Sequence, residues 1–326
     1  MPYSGNNSEL DVSIIIVNWN TREILRDCLK SICSEAGKIK YEIIVVDNSS
    51  NDGSGEMVKA EFPQVHLIEN NENRGFAVAN NQGMARAQGR YVLLLNSDTI
   101  ILDGAVAKTV AFADKHPEAG VVGCRVLNPD KTLQLTCFRF PSILNEILAS
   151  LYLNKLFPQN RFFGRSRMSW WDRNDVREVD VVTGCFMLVP RQAIEQVGVM
   201  DERYFIFSEE ADWCYRFKKA GWKRLFTPDA EIIHLHGAST SQQRPQMTLQ
   251  LRGSCLQYYR KHRGYLTYAT ACFLIAMFFF LRIPYWLGRT ILSRKGRKSH
   301  WERTRTYIKG TIYALTGGQG SLRTKL

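Results

Sequence analysis

The chain has 326 residues, of which 45% are hydrophobic and 23% charged, enough apolar material for one large α/β domain with an appendage or for two smaller domains. That balance excludes a disordered tail protein, a disulfide-stapled miniprotein and a polytopic membrane protein. The formal charge of +12 is concentrated: from Arg260 to the end there are fourteen Lys or Arg against the single acid Glu302, a balance of +13, so 12 − 13 leaves about −1 for residues 1–259. Basic residues gathered around an apolar segment, rather than spread over a folded face, argue against nucleic acid as a partner.

The opening MPYSGNNSELD has neither a basic leader nor an apolar stretch, which predicts no signal peptide and a cytosol-facing protein. Val12–Val17 is a continuous apolar run, the pattern of a strand covered on both faces. Asn20 followed by Glu23 suggests an N-cap and its reciprocal partner, and Ile24, Leu25, Cys28, Leu29, Ile32 and Cys33 form one helical stripe. Strands are expected at Glu42–Val46, Val65–Ile68 and Tyr91–Leu95, with a helix from Phe76 to Ala87 between the last two. A further helix is expected over 103–117 and a strand over 119–126. The stretch 128–178 reads as irregular, and Val179–Val189 as a strand interrupted at Thr183-Gly184. Ser208 can cap a helix running to Ala220, with Gly221 as its left-handed stop, and short strands follow at 225–226 and 231–235. Repeated β-α-β with short connections implies a mostly parallel sheet, with ligands beyond the carboxyl ends of its strands. Asn18, Asp47 and Asp98 all lie at such ends.

The last fifth differs. Tyr265–Leu281 is uncharged and largely apolar, bracketed by Arg260, Lys261 and Arg263 before it and Arg282 after it. Its seventeen residues would span roughly 26 Å as a helix, short of a hydrocarbon core of about 30 Å. Ile283–Leu292 adds a second apolar piece after Pro284 is passed. Basic flanks on both sides fit a helix pair lying in a cytoplasmic leaflet, held by anionic membrane lipids, with a single span left open and a buried core or dimer helix as the alternative. The division expected is a catalytic domain over 1–259 and a basic, apolar, membrane-associated region over 260–326.

Four constellations could carry chemistry. Asn96-Ser97-Asp98 closes the most apolar strand and suits a hard divalent cation on a diphosphate, although Asp at a strand end also serves as a turn or cap residue. Asp47 can accept hydrogen bonds from a ribose or a base, or can close an Asx-turn with Asn48, Ser49 and Ser50. Glu209, Glu210 and Asp212 crowd a helix start, where acids either cap the helix or work as a base with supporting carboxylates, kept ionised by the helix terminus. His234 and His236 are two apart in an extended chain and so face one side; metal ligation by His234 requires Asp98 nearby, and a structural histidine is the other reading. No G-x-G-x-x-G follows the first strand, which argues against a nicotinamide or flavin dehydrogenase. The eight cysteines form no C-x-x-C pair and read as buried thiols in a reducing compartment.

Taken in order, VSIIIVNWN (12–20), EIIVVDNSSNDGS (42–54), NENRGFAVANNQG (71–83), YVLLLNSDT (91–99), TGCFMLVPR (183–191), YFIFSEEADWCYR (204–216) and AEIIHLHGAS (230–239) resemble glycosyltransferase family 2. That family comprises inverting enzymes of the GT-A (nucleotide-diphospho-sugar transferase) fold, an α/β fold with a mostly parallel mixed sheet flanked by helices. The nearest flavour is its bacterial rhamnosyltransferase-like branch. The resemblance implies a nucleotide-diphosphate sugar donor, a glycan or polyprenyl-diphosphate-linked acceptor in bacterial surface polysaccharide synthesis, and action at the cytoplasmic face of the inner membrane. It implies that Asp47 and the backbone at Asn18 bind the nucleotide, that Arg74 and Asn81 line the donor site, and that Asp98, with His234 approaching, ligates Mg²⁺ or Mn²⁺. Asn96 replaces the first acid of the family's D-x-D motif. Glu210 occupies the usual position of the catalytic Asp, with Glu209 before it and Asp212 supporting the acceptor, while Gly184 sits in the strand nearest the sugar. Transfer of another hexose to a soluble acceptor, or a catalytically silent membrane scaffold that binds a sugar nucleotide, are the rival readings.

Overall fold

The computed structural model of the chain describes residues 10–35, 38–235, 244–293 and 296–318. The N-terminal residues that suggested no leader, and His236, lie outside these described residues. The chain divides by compactness into two units. One takes in the chain up to Arg139, Trp171–Phe205 and the stretch from Glu209 through the last strand; the other takes in Phe140–Trp170, Ile206–Ser208 and the helices from Arg244 onward.

The first unit is built on strands β1 (Val12–Asn18), β2 (Tyr41–Asp47), β3 (His66–Glu69), β4 (Tyr91–Asn96), β5 (Thr99–Ile101), β6 (Ala119–Leu127), β7 (Arg177–Glu178), β8 (Phe186–Pro190) and β9 (Lys223–His234). They form one mixed sheet in the order β3-β2-β1-β4-β8-β6-β9-β5, with β7 on β9. β3, β2, β1 and β4 run parallel, β8 runs antiparallel to β4, and β9 is parallel to β6. Its helices are α1 (Arg22–Glu35), α2 (Ser54–Glu61), α3 (Phe76–Arg86) and α4 (Ala105–Lys115), while α5 (Ile143–Ser150) and α6 (Leu153–Leu156) belong to the second unit; α7 (Arg191–Val197) and α8 (Glu209–Lys219) return to the first. Ile14, Ile15 and Ile16 are all inaccessible to solvent, as expected when helices cover both faces of a parallel strand. Register does the positioning. Asn18 pairs with Asp47 and Val17 with Asn96, so three strands deliver polar residues to one edge.

Three local expectations are corrected. Asn20 does not cap α1: its backbone is left-handed (φ 52) and its side-chain oxygen accepts from Asn51 N at 2.9 Å. The helix start is served across the gap by Asp52, whose Oδ2 accepts from Arg22 N at 2.8 Å, while its Oδ1 accepts from Ser54 N at 3.1 Å. The expected strand over 179–189 begins only at Phe186; Thr183-Gly184-Cys185 turns, and Val181 makes a lone bridge to Phe138. The two short strands near 225 and 233 are one, with a bulge at Pro228–Ala230 between the Cys124↔Thr227 and Arg125↔Glu231 pairs. Proline is tolerated there because a bulge residue need not donate to the ladder. Gly221 does stop α8 at φ +90.

The second unit packs α5 and α6 with α9 (Arg244–His262), α10 (Tyr265–Phe280), α11 (Ile283–Leu292) and α12 (Arg297–Leu315). One side of α10 is buried, with Ala271, Cys272, Ile275, Ala276 and Phe279 packed among Leu256, Tyr259 and Ala314. Gly310 of α12 makes room for the Phe279 ring, since a Cβ there would lie 2.7 Å from it. The most apolar 18-residue window of Tyr265–Leu292 has a mean hydropathy of 1.9 and is 33% buried inside the protein, so the stretch is long and apolar enough to cross a membrane. Residue 260, where charge and hydropathy suggested a boundary, falls inside α9.

Candidate active site

Side chains at the carboxyl edge of β1, β2 and β4 bond to one another. Asn18 Nδ2 donates to Asp47 Oδ1 at 2.8 Å and to Ser50 Oγ at 3.1 Å, and Asn18 Oδ1 accepts from Thr21 Oγ at 2.6 Å. Thr21 reaches Ser97 Oγ at 3.2 Å, linking β1 to the end of β4. Asp47, 5% exposed, also accepts from Ser50 N at 2.9 Å and Ser50 Oγ at 2.6 Å. The Asx-turn reading of Asp47 is therefore realised. The turn also leaves acceptor capacity, since a carboxylate offers about four lone-pair positions.

Beyond β4, Asp98 and His234 come together although 136 positions separate them. His234 Nε2 lies 3.1 Å from Asp98 Oδ1 and 3.2 Å from Asn96 Nδ2. The pairing of Thr99 with His234 between β5 and β9 sets that approach. A residue the sequence did not single out controls the ring. Gln134 Nε2 donates to Asn128 Oδ1 at 2.9 Å and to the His234 carbonyl at 3.2 Å, so its Oε1 must be the atom facing His234 Nδ1 at 2.7 Å. Nδ1 then carries a proton, and Nε2 points at Asp98. Two electron-rich atoms at that distance need positive charge between them, from a proton or a cation. One carboxylate and one imidazole fit a divalent cation that takes its remaining ligands from a diphosphate and water, while Asn96 turns its NH2 group toward His234. Among the described residues no cluster of three or more His, Cys, Asp or Glu could hold a metal unaided. The turn Asn128-Pro-Asp-Lys-Thr132, which folds Gln134 back to bond Val126, was the sequence signal for this residue.

Glu209 and Glu210 begin α8. Glu209 is 3% exposed and Glu210 half-buried, and among the described residues the Oε2 atom of each is buried without a hydrogen-bond partner. Burial pushes both carboxyls above the usual glutamate range; Glu209 is raised further by the Glu210 charge, and the helix-start N–H groups oppose this only in part. The expectation that the helix terminus keeps these acids readily ionised is corrected, because desolvation outweighs it. Burial also raises the Cys185 thiol to about 12, and the carboxylates of Asp98 and Glu210 both add to that rise.

The remaining candidates separate. Asp212 is fully buried and accepts from Arg216 Nε at 2.9 Å, while Arg216 also donates to the Val197 and Val199 carbonyls, so this pair braces α8 against the 197–199 turn. Asn81 is engaged by Met200, bonding its N–H at 3.0 Å and its carbonyl at 2.9 Å, with Glu202 Oε1 at 3.1 Å. Arg74 is exposed beside Gly75, where φ +86 and a would-be Cβ 2.5 Å from Phe205 O require glycine. Gly184 lies in the turn before β8, its α-carbon against the Phe76 ring.

The model of the family described as Glycosyl transferase family 2 matches residues 13–198, more than half of the chain. An N-acetylglucosaminyl-diphospho-decaprenol L-rhamnosyltransferase of Mycobacterium tuberculosis is 27% identical over 238 residues, covering 70% of this chain and 76% of the relative. A poly-beta-1,6-N-acetyl-D-glucosamine synthase of Staphylococcus epidermidis is 26% identical over 196 residues, 58% of this chain and 42% of that one. Among solved structures, a mannosyltransferase from Pyrobaculum calidifontis in complex with GDP-Man and Mn2+ superposes with a TM-score of 0.56 at 15% identity, covering 94% of this chain and 87% of the other. The fold expected from the sequence is borne out.

Proposed function

The chain belongs to glycosyltransferase family 2, and from that premise we propose that it moves a sugar, with inversion, from a nucleoside-diphosphate donor to a hydroxyl of a lipid-linked glycan. The observation that carries the reading is the meeting of Asp98 and His234 at 3.1 Å beyond the end of β4, supported by the buried, unpartnered Oε2 atoms of Glu209 and Glu210 at the start of α8. The proposed sugar is rhamnose and the acceptor a polyprenyl-diphosphate-linked oligosaccharide, supported by the name of the mycobacterial relative.

Asp47 and Asn18 hold the nucleoside and Arg74 the donor's anionic portion. Asp98 and His234 would hold Mg²⁺ or Mn²⁺, which when bound supplies positive charge to the departing diphosphate, with Asn96 beside them through its amide contact with His234. Glu210 takes the proton from the acceptor hydroxyl. That oxygen forms a bond to the anomeric carbon as the bond to the diphosphate oxygen breaks on the opposite face, so configuration inverts and no covalent enzyme intermediate forms. A carboxylate raised by burial is a stronger base for this step than an exposed glutamate. Glu209 and Glu210 titrate as a pair, so a proton retained between them leaves one carboxylate to act as base. The apolar helix α10 suits a site at the cytoplasmic face of the inner membrane, where a lipid-linked acceptor is confined to the same leaflet.

The test is a panel of nucleotide sugars, with polyprenyl-diphosphate-linked N-acetylglucosamine as acceptor, read by released nucleoside diphosphate with and without chelator. Release dependent on acceptor and metal, greatest for a rhamnosyl donor, is expected. Nucleotide affinity without turnover on any donor would instead leave a sugar-nucleotide-binding scaffold.

A further inference from the structure

Residues 147–170 lie inside the stretch matched by the family model, yet they belong to the helical unit and not to the sheet. They carry four cations, Lys155, Arg161, Arg165 and Arg167, and no acid. They also leave large apolar side chains in solvent: Leu151 is 58% exposed, Leu156 66%, Phe157 52% and Phe162 53%. Exposed apolar side chains this close together mark a surface that meets something.

The segment is fastened to the apolar helix. Arg282, at the end of α10, donates from Nε to the Tyr152 hydroxyl at 2.9 Å and stacks its guanidinium 4.4 Å over the Tyr152 ring and 3.8 Å over Phe278. Arg252 of α9 pairs with Glu146 of α5 and lies 4.2 Å over the same Phe278. Arg252 thereby neutralises the acid of α5, so no unpaired acid offsets the cations of the stretch beyond it. Side chains of α9 and α10 and the residue that follows α10 therefore tie the segment to the apolar helix.

We propose that α5, α6 and the loop after them form a second membrane-docking element. Leu156, Phe157 and Phe162 enter the headgroup–acyl boundary, and Lys155 and Arg161 meet the phosphates of anionic lipid. Cations alternating with apolar side chains, as in Lys155-Leu156-Phe157 and Arg161-Phe162, match an interfacial segment. The proposal rests on the membrane reading of α10 and makes the docking face bipartite, one part from mid-chain and one from the C-terminal helices.

The experiment is co-sedimentation of the full chain with phosphatidylcholine vesicles, with and without phosphatidylglycerol. Leu156→Glu/Phe157→Glu should lower partitioning by about tenfold or more, and Lys155→Glu/Arg161→Glu should lower it only on the anionic vesicles. Metal-dependent nucleotide affinity should be unchanged in both. If the first variant fails to fold, Phe162→Ser provides the same readout with a milder change. Wild-type binding that all variants retain would overturn the proposal while leaving the membrane reading of α10 intact. A wild-type chain that binds no vesicle would overturn both, without touching the transferase reading, which the nucleotide-sugar panel tests separately. Loss of a wild-type dimer in the variants, seen by light scattering without lipid, would assign the patch to a second copy of this chain and overturn the lipid assignment.

Discussion

The edge of the sheet and the helical unit break the usual partition of side chains in opposite directions. At the sheet edge, polar groups are buried: Asn18 is 0% exposed, Glu209 3%, Asp47 5% and Asp98 8%. In the helical unit, apolar groups are exposed: Leu292 is 86%, Tyr265 84% and Leu266 80% accessible. A buried polar group costs free energy unless it is bonded, and the hydrogen bonds from Asp47 through Ser97 show how most of that cost is met. The Glu209 and Glu210 oxygens left without partners are the exceptions, and Glu210 is the base proposed above. The exposed apolar surface has no comparable compensation among the described residues, and it is the surface proposed above to meet lipid. The proposed chemistry and the proposed attachment therefore rest on two different departures from one rule.

The sharpest way to break this comparison is at Glu210. Glu210→Gln keeps the shape and removes the base, so transfer should fall about 10²–10⁴-fold while donor affinity holds, measured by turnover beside nucleotide titration. Retained transfer would move the base elsewhere. Next, Asp98→Ala should abolish the gain in nucleotide affinity that Mg²⁺ or Mn²⁺ brings, seen by titrating nucleoside diphosphate with and without metal; an unchanged gain would refute the ligand assignment. Gln134→Leu should weaken Mn²⁺ binding by about 10–100-fold, the usual effect of losing the partner that orients a ligating histidine. In the metal-free protein its effect should be visible as a change of His234 tautomer by ¹⁵N NMR, a signal a merely destabilised variant would not give.

The helical unit is probed by Gly310→Val, which pushes a side chain into the Phe279 ring and should cost about 1–3 kcal/mol by overpacking. Thermal melting would show it, with vesicle binding reduced more than nucleotide affinity. The smallest effect is expected at Glu209. Glutamine imitates the protonated acid, so Glu209→Gln should cost less than about tenfold in transfer. The pH profile adds the sign. Both pKa values are raised, so activity should climb with pH through an acid limb above the ordinary glutamate range. The stability contribution of the pair runs the other way: it is fully present below the unfolded-state pKa and is lost as pH rises through the folded one.

Much of the fold was legible because burial on both faces leaves a plain signature. Val12–Val17, Glu42–Val46 and Tyr91–Leu95 each match a strand to within one residue at either end. Where structure depends on distant partners, the pattern was silent or misleading. Asn20 looks like a cap, but Asp52 does that job from another loop. Residues 143–156 carry helices whose packing partners are Arg252 and Arg282, more than a hundred positions away, so no local period announced them. Asp212 reads as a third active-site acid, and only the reach of its neighbour Arg216 to the Val197 and Val199 carbonyls reveals a brace.

By itself the sequence determined the family, the α/β alternation and the placing of Asn18, Asp47 and Asp98 at strand ends, because those follow from residue type and short-range periodicity. Tertiary structure alone decided that His234 meets Asp98, that Gln134 sets the imidazole, that burial raises Glu209 and Glu210, and that a mid-chain segment shares a body with the apolar helix. Each of these depends on which atoms become neighbours and how much water is excluded between them, quantities that belong to the folded chain and to no local stretch of it.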